Sequence, residues 1–94
     1  MRPAPDAALR ELTTLLAKQP GLEHIKVKKH ADSLILLSDE GGQRWNHARL
    51  TALGGRAWGL SLATRGRWEP TPFVGTVGEL TEVLVGNFAG YLEI

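Results

Sequence analysis

The chain has no cysteine, and that one absence removes disulfides, thiolate zinc sites and cysteine nucleophiles together. Aromatic residues are scarce, with three Trp, two Phe and one Tyr in 94 residues, so any ring that falls outside the core needs a reason. No apolar run approaches the ~18 residues that cross a bilayer. The segment after Met1-Arg2-Pro3-Ala4-Pro5-Asp6 carries Arg10, Glu11 and Lys18, where a signal peptide keeps an uninterrupted apolar stretch. These absences read as a cytoplasmic protein without a membrane segment. Basic residues are missing from Glu69 to Ile94, which holds four acids, whereas His24 to Trp68 holds eight Lys and Arg against three acids. The net charge of +1 therefore conceals a basic middle and an acidic end, a distribution that suits an anionic partner or the pairing of unlike surfaces.

What is present is enough for a single domain over residues 1–94. A chain of this length buries roughly 60 to 65% of its unfolded surface, which leaves no room for a deep enclosed active site beside the core. Asp6 stands at an N-cap position, and Leu9, Leu12, Leu15 and Leu16 form an apolar stripe that predicts a helix from about Pro5 to Lys18, stopped by Gln19-Pro20-Gly21. Near the other end, Thr76 and Glu79 have the spacing of a capping box. Val77, Leu80, Val83, Leu84 and Phe88 recur at intervals of three and four behind it, so a second helix starts at Thr76. Tyr91-Leu92-Glu93-Ile94 then reads as a terminal strand.

Between the helices the period changes to two. Leu22 to Lys29 alternates, and a turn at Ala31-Asp32 pairs Lys29 with Leu34, Val27 with Leu36, Lys28 with Ile35 and Lys26 with Leu37. Asp39-Glu40-Gly41-Gly42 turns into a third strand from Gln43 to Ala52. A three-residue loop at Leu53-Gly54-Gly55 would pair Leu50 with Trp58, Ala48 with Leu60 and Asn46 with Leu62. Arg65-Gly66 turns again into Arg67-Trp68-Glu69, where Pro70 and Pro72 are expected to end the strand. The fold class is α+β: a mostly antiparallel sheet of four to six strands, in the order α-β-β-β-β-β-α-β, with two helices packed on one face.

That architecture leaves the other sheet face uncovered, and strict alternation puts Trp45, His47, Arg49, Ile35 and Leu37 on it, with Lys26 and Lys28 on the same side. The strand beside Trp45 and Arg49 opposes them with Ala57, Gly59, Ser61 and Ala63, residues too small to cover an indole and a guanidinium. Trp and Arg dominate protein interfaces, and apolar residues on an uncovered face are uncommon in a monomer. The expected function is a non-enzymatic binding or regulatory module that docks a protein through this face, most simply a second copy of itself. The alternative is a single-stranded nucleic-acid-binding protein that uses Lys26, Lys28, Trp45, Arg49 and Arg67, because bases stack on aromatic rings and phosphates pair with cations. A third reading is a small ribonuclease-type toxin that uses His47 with Arg49 and Arg67.

Other constellations carry less. His24 and His30 lie six residues apart on one strand, about 20 Å at strand rise, and His47 has no partner at ligand spacing, so all three read as surface histidines and no metal is expected. Ser61, His47 and Asp32 make a triad on paper without the strand-turn-helix that exposes a serine nucleophile. Asp39-Glu40 is a solvated turn. Gly41-Gly42 and Gly54-Gly55 are hairpin turns, not phosphate loops, and no cofactor is expected.

Overall fold

Each connection in the middle of the chain is a short turn, so successive strands become neighbours and the sheet takes the order β1-β2-β3-β4-β5, antiparallel throughout. The structure is a computed structural model and describes residues 6–92. It runs α1 (Asp6–Ala17), β1 (Lys26–His30), β2 (Ser33–Glu40), β3 (Gln43–Gly54), β4 (Ala57–Thr64), β5 (Arg67–Gly75), α2 (Val77–Asn87) and a 3-10 turn over Ala89–Leu92. The α+β class is as the sequence indicates. The expected last strand is not formed at Tyr91 and Leu92, which belong to the 3-10 turn; Glu93 and Ile94 lie outside the described residues. No helix among the described residues is long and apolar enough to cross a membrane.

One apolar cluster joins the helices to the sheet. Ala8, Leu12 and Leu16 of α1 and Val77, Leu80 and Leu84 of α2 meet Leu34, Leu36, Ala48, Leu50, Trp58, Leu60 and Leu62 from the helix-covered face. Leu92 closes the cluster and is fully buried. The second helix begins as its sequence requires, whereas Asp6, expected as the N-cap of α1, is already helical and the residues before it lie outside the described ones. Asp6 is the first residue of α1, and its carboxylate accepts a hydrogen bond from Lys29 of β1, tying helix to strand and holding Asp6 below the usual carboxylate range. At α2, Thr76 Oγ1 accepts from the Glu79 amide at 3.1 Å while Glu79 Oε1 accepts from the Thr76 amide at 2.9 Å, the reciprocal box that satisfies two orphan donors.

The register matches expectation between β1 and β2 and shifts beyond it. Between β3 and β4 the pairs are Ala48 with Leu62, Leu50 with Leu60 and Ala52 with Trp58, two residues away from the pairing expected from a loop at Leu53-Gly54-Gly55. A bulge at Leu53 and a tighter turn at Gly55-Arg56 account for the difference. Because the shift is even, Ala48, Leu50, Ala52, Trp58, Leu60 and Leu62 keep the helix-covered face expected for them, while Asn46, expected beside Leu62, pairs with Leu37 instead.

The sequence placed the end of the fifth strand near Glu69, yet β5 continues through both prolines to Gly75. An edge strand tolerates prolines, since one side of it has no ladder to supply. Their cost is a wide irregularity: Gly59 pairs with Val74 and Ser61 with Pro70, so three residues of β5 oppose Leu60 alone. Thr71 Oγ1 donates to the Leu60 carbonyl at 2.9 Å, which replaces the missing backbone donor. Thr71→Val is expected to lower stability by about 1 kcal/mol, as a lost hydrogen bond at a half-buried carbonyl does, while Thr71→Ser retains most of it; urea denaturation of the two variants checks this.

Candidate nucleic-acid interface between two hairpin ends

His47 decides where the surface groups go. In the β2–β3 ladder, Leu36 pairs with Ala48 and Leu37 with Asn46, so His47 is an extra residue, a bulge. A bulge reverses the alternation of the strand beyond it. His47 consequently turns to the helix side, where it is 3% exposed, and does not share the outer face with Arg49. Its Nδ1 lies 2.7 Å from the Tyr91 carbonyl oxygen and its Nε2 lies 2.7 Å from Ser38 Oγ. Since a carbonyl only accepts, Nδ1 carries the proton; in the neutral ring Nε2 accepts from the Ser38 hydroxyl. His24 makes a parallel contact, Nε2 to the Leu92 carbonyl at 2.6 Å, and the two imidazoles meet edge to face with centroids 6.0 Å apart. Two histidines therefore hold consecutive carbonyls of the C-terminal 3-10 turn, and the expectation of a surface His47 is overturned. Among the described residues no three His, Asp or Glu lie close enough to hold one metal ion.

Beyond the bulge, Trp45 pairs with Ser38 and shares its side of the sheet. Trp45 remains 45% exposed, but it has left the face where strict alternation put it. Ile35, Leu37, Arg49, Lys26 and Lys28 do lie on the outer face, as their pairings require. Leu37 is only 5% exposed there, opposed on either side by Lys26 and Asn46, and Ile35 is half-buried between Lys28 and Arg49. The apolar patch anticipated at the centre of this face is thus interrupted by cations. Lys26 and Arg44 both lean on Asp39, at 3.4 and 3.8 Å.

The platform of an indole and a guanidinium over small residues exists, with a different indole. Trp68 pairs with Ala63 on β5, and the Arg49 guanidinium reaches across β4, over Ser61 and Ala63, to sit 4.9 Å from the Trp68 ring centroid. Trp68 is not among the residues that alternation along β2 and β3 puts on the outer face. The signal that could have found it was the row of small residues on β4, which opens the way from β3 to β5 as well as from β3 to β4.

The β3–β4 pairing stops at Ala48 and Leu62, while β2–β3 and β4–β5 each continue to their turns. The two hairpin ends diverge, and a cleft of about 370 Å³ opens between them, lined by Arg44, Trp45 and Asn46 on one side and Ala63, Arg65, Gly66, Arg67 and Trp68 on the other. Two indoles and three guanidinium groups line it, and the described lining residues include no carboxylate. Arg65 occupies the two-residue turn at φ 49° with Gly66 at 78°, the left-handed pair that a tight hairpin requires. Trp45 and Arg67 are thereby brought together from the sequence candidates, Arg49 stands next to the cleft through Trp68, and Lys26 and Lys28 lie on the far strand.

Comparison of the chain with protein-family models, with curated proteins and with solved structures finds no match. The site is therefore read from its chemistry.

Burial pushes the His47 pKa below the ordinary 6.5; the Tyr91 carbonyl draws it back up and His24 pushes it further down. A depressed folded-state value means that the unfolded chain binds the proton first. The stabilisation from neutral His47 is thus complete above pH ~6.5 and is lost as pH falls through the folded-state value. Urea midpoints are expected to drop between neutral pH and about pH 5, and the slope of that drop should shrink in His47→Asn, even though the variant is less stable at neutral pH.

Proposed function

We propose that the protein is a small non-enzymatic binding module for single-stranded nucleic acid, with the cleft between the two hairpin ends as its binding site. The observation that carries this reading is the lining itself: Trp45 and Trp68 with Arg65, Arg67 and an Arg44 that also meets Asp39, and no carboxylate among the described lining residues. Exposed bases stack on indoles irrespective of sequence, and guanidinium forks take phosphate oxygens with two parallel bonds. With a net charge of only +1, attraction depends on this local concentration of arginine, not on the field of the whole chain. Cytoplasmic RNA or single-stranded DNA is the ligand source that goes with it.

Docking of a second copy is the second reading, and one observation favours it. Leu53 and Val74, 56% and 61% exposed, converge at Gly59, where Leu53 lies over the glycine and Val74 pairs with it. Lateral growth of the sheet is disfavoured at both edges, by Lys26, Lys28 and Lys29 on β1 and by Pro70 and Pro72 on β5. Self-association would therefore use the outer face. The ribonuclease-type reading loses support, since both ring nitrogens of His47 are already engaged inside the fold.

Titration of a labelled oligothymidylate of about a dozen nucleotides should show binding that weakens steeply between ~50 and ~200 mM salt. Replacing Arg65 and Arg67 together by alanine should lower the salt slope by about one to two units. An oligonucleotide that does not bind at low salt would remove the proposal. Light scattering on wild type and Val74→Lys tests the second reading: a dimer that the substitution dissociates supports it, and a monomer throughout excludes it.

A further inference from the structure

The cleft is small, and its two aromatic walls come from different hairpins. At about 370 Å³ it lies at the lower end of the ~300–1,000 Å³ that sites for single small molecules occupy. That is room for one planar group with its sugar inside the cleft. Arg44 lies on the β3 side, Arg65 and Arg67 on the β4–β5 side, so cations flank the opening from two directions. A nucleotide within a strand carries one phosphate before it and one after it. A free mononucleotide has only one phosphate to offer.

Arg49 adds a second element. Its guanidinium lies on the Trp68 ring yet does not line the cleft, so it supports the indole from a side the cleft does not reach. Its Nε is buried and has no hydrogen-bond partner among the described residues. The side chain is therefore held over β4 by the ring and by packing above Ser61 and Ala63, more than by hydrogen bonds. A cation stacked on an indole fixes the plane of that indole. Trp68 stands on an edge strand next to the irregular Pro70–Val74 stretch, with a neighbouring strand on one side only.

We infer that the cleft takes one unstacked base of a single strand, with the adjoining phosphates on the arginines to either side, and that Arg49 is a positioning residue that orients Trp68 for that base. The inference rests on the nucleic-acid reading of the cleft. It restricts the ligand to strands with at least one unpaired nucleotide between two phosphates: loops, bulges and single-stranded stretches. A continuous duplex has every base paired and stacked and offers none without paying for its extrusion.

The test uses the intact chain and four probes: thymidine monophosphate, a short oligothymidylate, a blunt duplex, and the same duplex with one unpaired central thymidine. A fifth probe, the oligothymidylate with its bases removed, asks whether the base matters. Binding is read by intrinsic tryptophan emission, which reports Trp45 and Trp68 because Trp58 is enclosed in the core, and by displacement of a labelled strand. The oligothymidylate and the bulged duplex should bind and quench, and the blunt duplex, the monophosphate and the abasic strand should bind at least about tenfold more weakly: the duplex and the abasic strand present no free base to stack, and the monophosphate brings one phosphate to the arginines instead of two. Arg49→Ala should reduce quenching and the preference for the normal over the abasic strand, with the salt slope unchanged, because Arg49 meets no phosphate. Circular dichroism and urea midpoints confirm that the variant is folded, and the abasic comparison on wild type stands without it. An abasic strand that binds as tightly as the normal one would overturn base insertion and leave the nucleic-acid reading intact. A salt slope that falls by about one in Arg49→Ala makes Arg49 a phosphate contact and overturns its positioning role. If neither the single strand nor the bulged duplex binds, both readings fall together.

Discussion

A buried imidazole needs partners for both nitrogens, and the structure bends a strand to supply them. His47 reaches Ser38 on one side and the Tyr91 carbonyl on the other because one extra residue in β3 turns it toward the helices. The consequences spread along the strand. Trp45, four dihedral angles before the bulge, changes faces. The register with β2 is carried on to Gln43, while the pairing with β4 ends at Ala48, so β3 follows one neighbour and parts from the other. The space between the hairpins is the result of that choice. What satisfies a core polar group thus also builds a cleft where indoles and guanidinium groups converge.

The fold was legible where local pattern and core burial agree. Capping at Thr76 and Glu79, the leucine stripe of α1 and the alternation from Val27 to Leu36 each point to one answer, and the structure gives that answer. Even the mistaken loop at Leu53-Gly54-Gly55 did no harm to the core, because an error of two residues preserves the faces. The site was less legible for a physical reason. Alternation carries face assignments only as far as the ladder is regular, and the bulge at His47 depends on a carbonyl 44 residues away. No local feature around Trp45-Asn46-His47 announces it. The prolines in β5 misled in the opposite direction: they look like the end of a strand, and they are an edge strand's irregular middle, stabilised by Thr71.

The distribution of charge takes on meaning in the same light. The basic middle of the chain does not form one field over the outer face, since Lys29 is spent on Asp6 and Lys26 shares Asp39 with Arg44. The arginines of the β4–β5 turn are outside the ion pairs of the described residues. Arg65 and Arg67 lie within three residues of one another, on either side of a glycine, and the turn presents them next to Trp68. A small protein of modest net charge can in this way concentrate positive charge in a few residues at a hairpin end, leaving the helices to the core.

The C-terminal turn is held through two backbone carbonyls as well as through the buried Leu92 side chain. His24 and His47 contact the carbonyl oxygens of Leu92 and Tyr91, which any residue at those positions would present. The fastening is therefore indifferent to the identity of residue 91 and sensitive to the count of residues that precedes it. Inserting or deleting a single residue between Phe88 and Tyr91 would rotate both carbonyls away from the two rings and draw Leu92 out of the core, whereas many substitutions at Tyr91 would leave the pair of contacts in place. The two histidines act as a gauge of chain length after α2.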